Sequence, residues 1–126
     1  MRPGTLRGTI LLAHGSRDPE WRKPVVAVAD RIRAMAPDVR VRCAYLELMA
    51  PDLATCVDEL ATLGASVITV LPLFFGIGKH ARKDLPLLMA AVKLSHPDLV
   101  FDVKPAAGEQ SAVIELLARI ALSESS

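Results

Sequence analysis

The strongest constraint on the fold is an alternation, repeated four times along the chain, of an apolar β-rich run with a segment of helical period. The predicted strands cover residues 8–13, 39–45, 66–73 and 99–105. Such continuous apolar stretches are typical of strands that are covered on both faces, as in a parallel sheet. The pattern therefore predicts an α/β fold, a three-layer αβα sandwich built on a four-stranded parallel sheet.

The segments after the strands carry apolar residues at steps of three and four, which is the period of a helix with one buried face. These residues are Val25, Val28, Ile32 and Met35; Leu53, Val57 and Leu60; Leu85, Leu88 and Val92; and Val113, Leu117 and Ile120. Pro19 suits the first helical turn of the first helix, and Gly64 suits the end of the second. Right-handed crossovers then favour a flavodoxin-like strand order with strands one and three adjacent. We expect one domain over residues 1–126.

Charge and composition exclude several classes of function. Fifteen Lys and Arg nearly cancel fourteen Asp and Glu, and aromatic residues make up only 4 %, so nucleic acid is not an expected partner. No apolar run approaches the roughly 20 residues that cross a bilayer, so no membrane association is expected. Cys43 and Cys56 have neither metal nor redox spacing. Two buried thiols of a cytoplasmic protein are the simplest interpretation.

The predicted topology brings two histidines to one edge of the sheet. Ligands of open α/β sheets bind beyond the carboxyl ends of the strands. His14 follows strand one, and His80 closes the loop after strand three, so adjacent strands would present both imidazoles at one crevice. His96 falls at the opposite edge, where a structural role is expected.

Two imidazoles that leave the other coordination positions of a divalent transition ion open would hold that ion loosely. A structural zinc site needs four closed ligands, and the sequence does not supply an obvious set. Glu47, at the end of strand two, is a candidate third ligand or proton acceptor. An ordinary solvated glutamate would fit the same position.

The loop at residues 15–18, with Ser16 and Arg17, precedes helix one and could cradle an anion at the helix N-terminus. It lacks the glycine patterns of nucleotide-binding loops, so simple turn and cap chemistry is the alternative.

The loop after strand three combines apolar and cationic side chains. Phe74 and Phe75 lie where the strand reaches the crevice, and they could line an apolar pocket or a partner interface. Lys79, Arg82 and Lys83 could meet a carboxylate-rich ligand, although an ordinary solvated face explains their charge equally well.

Taken together, these loops resemble the short-form sirohydrochlorin chelatases of the CbiX/SirB type, a class II chelatase family. The resemblance covers nearly the whole chain, and the joint match is specific. It rests on His14-Gly15-Ser16-Arg17-Asp18-Pro19, on Tyr45-Leu46-Glu47 with Pro51, and on Pro72-Leu73-Phe74 with Gly78, His80 and Asp84-Leu85-Pro86. The chain departs from the family pattern at residues 106–110, where relatives often show a Leu-Gly and His/Pro-containing stretch. The contribution of this loop is therefore open.

The resemblance implies a chelatase-like fold and ATP-independent insertion of a divalent metal, cobalt first and iron or nickel as alternatives, into sirohydrochlorin for cobalamin biosynthesis. It implies that His14 and His80 bind the ion and act in catalysis, with Glu47 as auxiliary ligand or base, and that no nucleotide is needed. The substrate-binding residues assigned with it are Ser16, Arg17, Phe74, Phe75, Lys79, Arg82 and Lys83. It also implies a homodimer. A carrier of tetrapyrrole or metal without turnover is the rival hypothesis, and phosphoryl transfer through His14 is disfavoured by the missing phosphate loop.

Overall fold

The computed structural model describes residues 6–76 and 78–124. Its strands are β1 (Leu6–Ala13), β2 (Arg40–Tyr45), β3 (Ala65–Pro72) and β4 (Val100–Val103). They form a parallel sheet in the order β2-β1-β3-β4. The predicted α/β fold and the adjacency of the first and third strands are confirmed, because right-handed crossovers leave this order as the simplest one.

The helices are α1 (Lys23–Met35), α2 (Leu53–Thr62), α3 (Lys79–Ser95) and α4 (Ser111–Leu122). Two 3-10 turns, Pro19–Arg22 and Ala107–Glu109, precede α1 and α4. Asp52 caps α2 by accepting a hydrogen bond from the Thr55 N–H at 2.9 Å. Hydrogen bonds with the side chain and with the backbone N–H of Thr55 lower the pKa of the Asp52 carboxyl from its usual value. Gly64 follows α2 with φ 96°, the left-handed backbone that ends many helices.

Two apolar clusters cover the two faces of the sheet. On one face Ile10, Leu12 and Ile68 pack with α2 and α3, and on the other Leu11 and Ala13 pack with α1. Successive side chains of a strand point to opposite faces, so central strand β1 needs apolar residues at every position from 10 to 13. This requirement explains the continuous apolar runs of the sequence.

The structure corrects two element boundaries. Lys79, Arg82 and Lys83 were expected in the loop after strand three, but they belong to α3, which begins at Lys79 and runs through Pro86. Gly78 is the N-terminal cap residue, and its carbonyl accepts the Arg82 N–H at 3.0 Å. Proline marks a helix start only by preference, and here the first two turns lie before it. The fourth strand is also shorter than predicted, with four residues.

Both cysteines are free thiols. Cys56 is buried, its Sγ donates to the Cys43 carbonyl at 3.6 Å, and burial raises the pKa of the Cys56 thiol to about 12. In the part of the chain that the structure describes, every helix is too short or too polar to cross a bilayer.

Candidate functional site

The site lies at the carboxyl edge of the sheet, where backbone hydrogen bonds extend beyond the strand ends. The Leu46 N–H donates to the Ala13 carbonyl at 3.0 Å, and the Glu47 N–H donates to the His14 carbonyl at 3.0 Å. On the other side of β1, the Leu73 N–H donates to the Leu12 carbonyl at 2.7 Å. These bonds bring the segments after β1, β2 and β3 together at one place. Backbone hydrogen bonds therefore account for the predicted proximity of His14 and Glu47.

The His14 side chain rests on an aromatic support. Its ring centroid lies 4.4 Å from that of Phe74, with 34° between the ring planes. Phe74 is only 1 % exposed and belongs to the core cluster beneath α2 and α3. Because a buried aromatic ring has little freedom to move, this contact restricts the orientations that the imidazole can adopt.

Above His14 is an open cavity of about 530 Å³. It is lined by His14, Leu46, Glu47, Gly78, Lys79, Ala81, Asp84, Leu87 and Leu88. One wall is therefore the loop after β2, and the other is the N-terminal half of α3. A cavity of this size, largely apolar with a few charged groups, is typical of small-molecule sites.

His80 occupies the second position of α3, between the cavity residues Lys79 and Ala81. Its side chain lies outside the described residues. The convergence of the two imidazoles therefore stays a prediction, which the backbone placement of His80 supports.

The other residues predicted to bind substrate lie at different positions relative to the cavity. Lys79 lines the cavity, whereas Arg82 and Lys83 are exposed on α3 outside the lining. Phe75 is 75 % exposed beside the site. Phe74, predicted to contact substrate, is 1 % exposed, lies against the His14 ring and is not among the residues that line the cavity.

Ser16 and Arg17 lie in the turn before α1 and do not line the cavity. The Ser16 hydroxyl accepts the Asp18 N–H at 3.1 Å, and the Asp18 carboxylate accepts the Glu20 N–H at 3.0 Å. These hydrogen bonds are those of an ordinary turn and helix cap, the alternative that the sequence offered to an anion-binding loop.

Several residues that line the cavity were not assigned to the site by the sequence reasoning, among them Asp84, Leu87 and Leu88. A signal for them existed, because residues three and four apart share one helix face. Asp84 follows His80 by four positions, and Leu87 and Leu88 follow Asp84 by three and four. This pattern was not recognised because the residues before Leu85 were assigned to a loop.

Among the side chains that the structure describes, no three of His, Cys, Asp and Glu lie close enough together to hold a metal ion. His14 and Glu47 on the cavity wall, with Asp84 opposite, provide nitrogen and oxygen donors.

The divergent loop at 106–110 supports the site from outside. The Gly108 N–H donates to the Phe74 carbonyl at 2.9 Å. A Cβ at Gly108 would lie 1.8 Å from the Phe75 carbonyl oxygen, so only glycine permits this approach. The loop does not line the cavity, and its role here is to hold the segment that carries Phe74.

Gly15 determines how closely the segments after β1 and β2 approach. Its φ is 101°, and a Cβ there would lie 1.8 Å from the Glu47 carbonyl oxygen. We expect Gly15→Ala to lower the free energy of unfolding by about 3 kcal/mol or more, because backbone strain and a backbone clash add. Urea denaturation measures this loss.

Gly64 provides the matched control, since its φ is 96° but nothing lies within 4 Å of a built Cβ. Gly64→Ala should cost only the left-handed strain, about 1 kcal/mol. Equal losses in the two variants would show that the contact with Glu47 does not matter.

Comparisons with known proteins agree with this geometry. The family model CbiX matches residues 8–123. A structure of a CbiX protein from Marinobacter aquaeolei VT8 superposes with a TM-score of 0.77 at 28 % identity, covering 91 % of this chain and 93 % of that one. The cobalt complex of the sirohydrochlorin chelatase SirB from Bacillus subtilis subspecies spizizenii superposes with a TM-score of 0.75 at 22 % identity. It covers 91 % of this chain but 50 % of that one.

Curated relatives are similar over a shorter span. The sirohydrochlorin cobaltochelatase of Saccharolobus solfataricus is 34 % identical over 82 residues, which are 65 % of this chain and 62 % of the relative. That of Sulfolobus acidocaldarius is 32 % identical over 79 residues, 63 % of each chain. The matched region thus spans less than two thirds of these relatives. The family model, however, covers the sheet, the site and all four helices, and the chain belongs to the CbiX family.

Proposed function

We propose that this protein is a sirohydrochlorin cobaltochelatase, an ATP-independent lyase that inserts Co²⁺ into an acidic tetrapyrrole. The observation that carries the proposal is the cavity in which His14 and Glu47 face the apolar and acidic wall of α3. Relatives of the same family carry this activity in their names. The metal and the macrocycle are both substrates, and no nucleotide takes part.

The reaction requires what these residues can supply. As a divalent ion enters, it must lose bound water, and two pyrrole N–H protons must leave the ring. His14, held on Phe74, offers an imidazole nitrogen as ligand to the incoming ion or as acceptor of a proton. Glu47 offers a carboxylate beside it for the same two tasks. We assign His80, on the first turn of α3, as the second histidine of this group.

The walls of the cavity suit a flat, carboxylated ring. Leu87 and Leu88 are exposed at the cavity and would cover one face of the macrocycle. Lys79 lines the cavity as a cation that would pair with a peripheral carboxylate. Arg82 and Lys83 would meet further carboxylates as the ring extends beyond the cavity. Phe75, Ser16 and Arg17 would contact its outer edge.

We also propose that two copies act together in the cytoplasm. The chain matches half of the SirB chain, so two copies would offer the two walls that a larger chelatase provides by itself. The free thiols of Cys43 and Cys56 suit a reducing compartment.

The experiment is an anaerobic absorbance titration of sirohydrochlorin with Co²⁺, Ni²⁺ or Fe²⁺, with and without protein. Catalytic amounts of protein should accelerate cobalt insertion over many turnovers. Nitrogen and oxygen ligands select weakly among these ions, so competition between metals decides the preferred one. Insertion at the protein-free rate for every metal would refute the proposal. Stoichiometric binding without acceleration would instead identify a carrier.

A further inference from the structure

Asp84 lines the cavity, and the function proposed above assigns it no task. It lies on the α3 wall, whereas Glu47 lies on the wall formed by the loop after β2. These two residues provide the carboxylates of the described cavity lining, and both are exposed. Within residues 6–76 and 78–124, neither carboxylate takes part in an ion pair. Both are therefore available to a molecule that enters the cavity.

The position of Asp84 on α3 places its carboxylate beside the apolar part of the wall. Residues three and four apart share one helix face, and Leu87 and Leu88 follow Asp84 at these spacings. All three line the cavity. A flat ring that lies on the two leucines would therefore extend over the carboxylate of Asp84.

Asp84 has the wrong charge for holding the rim of the proposed substrate. An acidic tetrapyrrole carries carboxylates at its rim, and like charges brought together oppose binding. Lys79 is the residue of the described lining whose charge suits this rim. A carboxylate on the α3 wall instead suits the positive species of the reaction, which are the metal ion and the two protons that leave the pyrrole nitrogens.

The spacing of the side chains separates these two tasks. Among the side chains that the structure describes, no three ligating groups come close enough together to hold one ion, so Asp84 does not share an ion with both His14 and Glu47. An imidazole nitrogen that binds the ion has no lone pair left for a proton. With His14 and the proposed His80 as ligands, the proton acceptors that remain in the described lining are the two carboxylates.

We propose that Asp84 is a further catalytic residue, which accepts one of the two pyrrole protons while Glu47 accepts the other. The inference rests on the proposed function and divides its chemistry among the cavity residues. One N–H bond breaks, its electron pair forms the bond from nitrogen to cobalt, and the proton bonds to a carboxylate oxygen of Asp84. The second N–H bond breaks in the same way toward Glu47. Co²⁺ thus replaces two protons, and both protons then pass to water at the open side of the cavity.

Asp84→Asn tests this role, because the amide keeps the size of the side chain but is too weak a base to accept the proton. Its kcat for cobalt insertion should fall by about 10²-fold or more, the loss typical of a general base. The KM values for Co²⁺ and for sirohydrochlorin should stay within about twofold, as expected when an interaction is made only in the transition state. Asp84→Glu restores a carboxylate and should recover most of the activity. Asp30→Asn on α1 is the matched control and should keep the wild-type kcat, since Asp30 pairs with Arg33 outside the cavity.

Chemical rescue and metal binding provide two further readouts. Asp84→Ala leaves space for a small carboxylate, so added formate should raise its kcat and leave the wild-type rate unchanged. Calorimetric titration with Co²⁺ alone should give the same Kd for the wild type and for Asp84→Asn. Because Asp84 is exposed, these variants are expected to fold, and urea denaturation checks this.

A wild-type kcat in Asp84→Asn would overturn the inference. A weaker Co²⁺ Kd together with a raised KM for Co²⁺ would also overturn it, because Asp84 would then be a ligand of the ion. The wild-type protein tests the proposed function separately. If the wild type accelerates cobalt insertion and Asp84→Asn is equally fast, the function stands and this role is rejected. A wild type that gives no acceleration rejects both.

Discussion

Replacing His14 by Ala should slow cobalt insertion by about 10² to 10⁴-fold, the range expected for loss of one positioned acid–base group. The side chain lines the cavity and is held on the buried Phe74 ring at a centroid distance of 4.4 Å. The remaining donors, Glu47 and the proposed His80, would then have to bind the ion and accept protons without it. The measurement is the initial rate of the absorbance change under anaerobic conditions with Co²⁺ in excess.

Two further variants make this result specific. His14→Gln keeps much of the size of the side chain but loses the imidazole, and it should be nearly as slow as His14→Ala. His96→Ala removes a histidine at the opposite edge, where the ring lies 2.7 Å from the Asp58 carboxylate, and it should keep the wild-type rate. Wild-type rates for His14→Ala would remove His14 from the mechanism.

Phe74→Ala should lower the free energy of unfolding by about 3 to 5 kcal/mol, the usual cost of removing a buried aromatic ring. Phe74 is 1 % exposed, contacts the core beneath α2 and α3, and has a backbone carbonyl that binds Gly108. Its neighbour Phe75 is 75 % exposed, so Phe75→Ala should change stability by no more than about 0.5 kcal/mol. Urea denaturation of both variants measures the difference. Equal losses would contradict the burial of Phe74.

The Phe74→Leu variant tests whether the Phe74 ring positions His14, and it does so while retaining most of the stability of the core. Leucine retains apolar volume, so the expected loss of stability is about 1.5 kcal/mol or less. It removes the flat ring on which the imidazole lies, and we expect cobalt insertion to fall while the protein remains folded. A fully active Phe74→Leu variant would show that the ring contact does not position His14.

The sheet was predictable from the sequence for a simple physical reason. A strand covered on both faces must be apolar at each position, and residues 10–13 of β1 form such a run, each at most 2 % exposed. With the handedness of crossovers, the alternation of strands and helices leaves β1 beside β3. The placement of His14 and Glu47 at one edge follows from that order.

The start of α3 was not predictable in the same way. Pro86 suggests a helix start, and two glycines before His80 suggest a loop, yet the helix begins at Lys79. The local preferences are weaker than the packing of the first two turns, in which Ala81 is buried and Leu85 packs against the core. Asp84 was therefore assigned to a loop, whereas it lies on α3 and lines the cavity.

By itself, the sequence determined the parallel sheet, its strand order and the edge at which His14 lies. The hydrophobic period and the order of strands and helices can be read directly along the chain. Only the tertiary structure decided that Phe74 is buried and Phe75 exposed, since two adjacent identical side chains differ only in what packs around them. The same holds for α4, whose apolar period predicts a buried face but not the surface that covers it. Burial depends on contacts between distant segments, and no local pattern specifies those contacts.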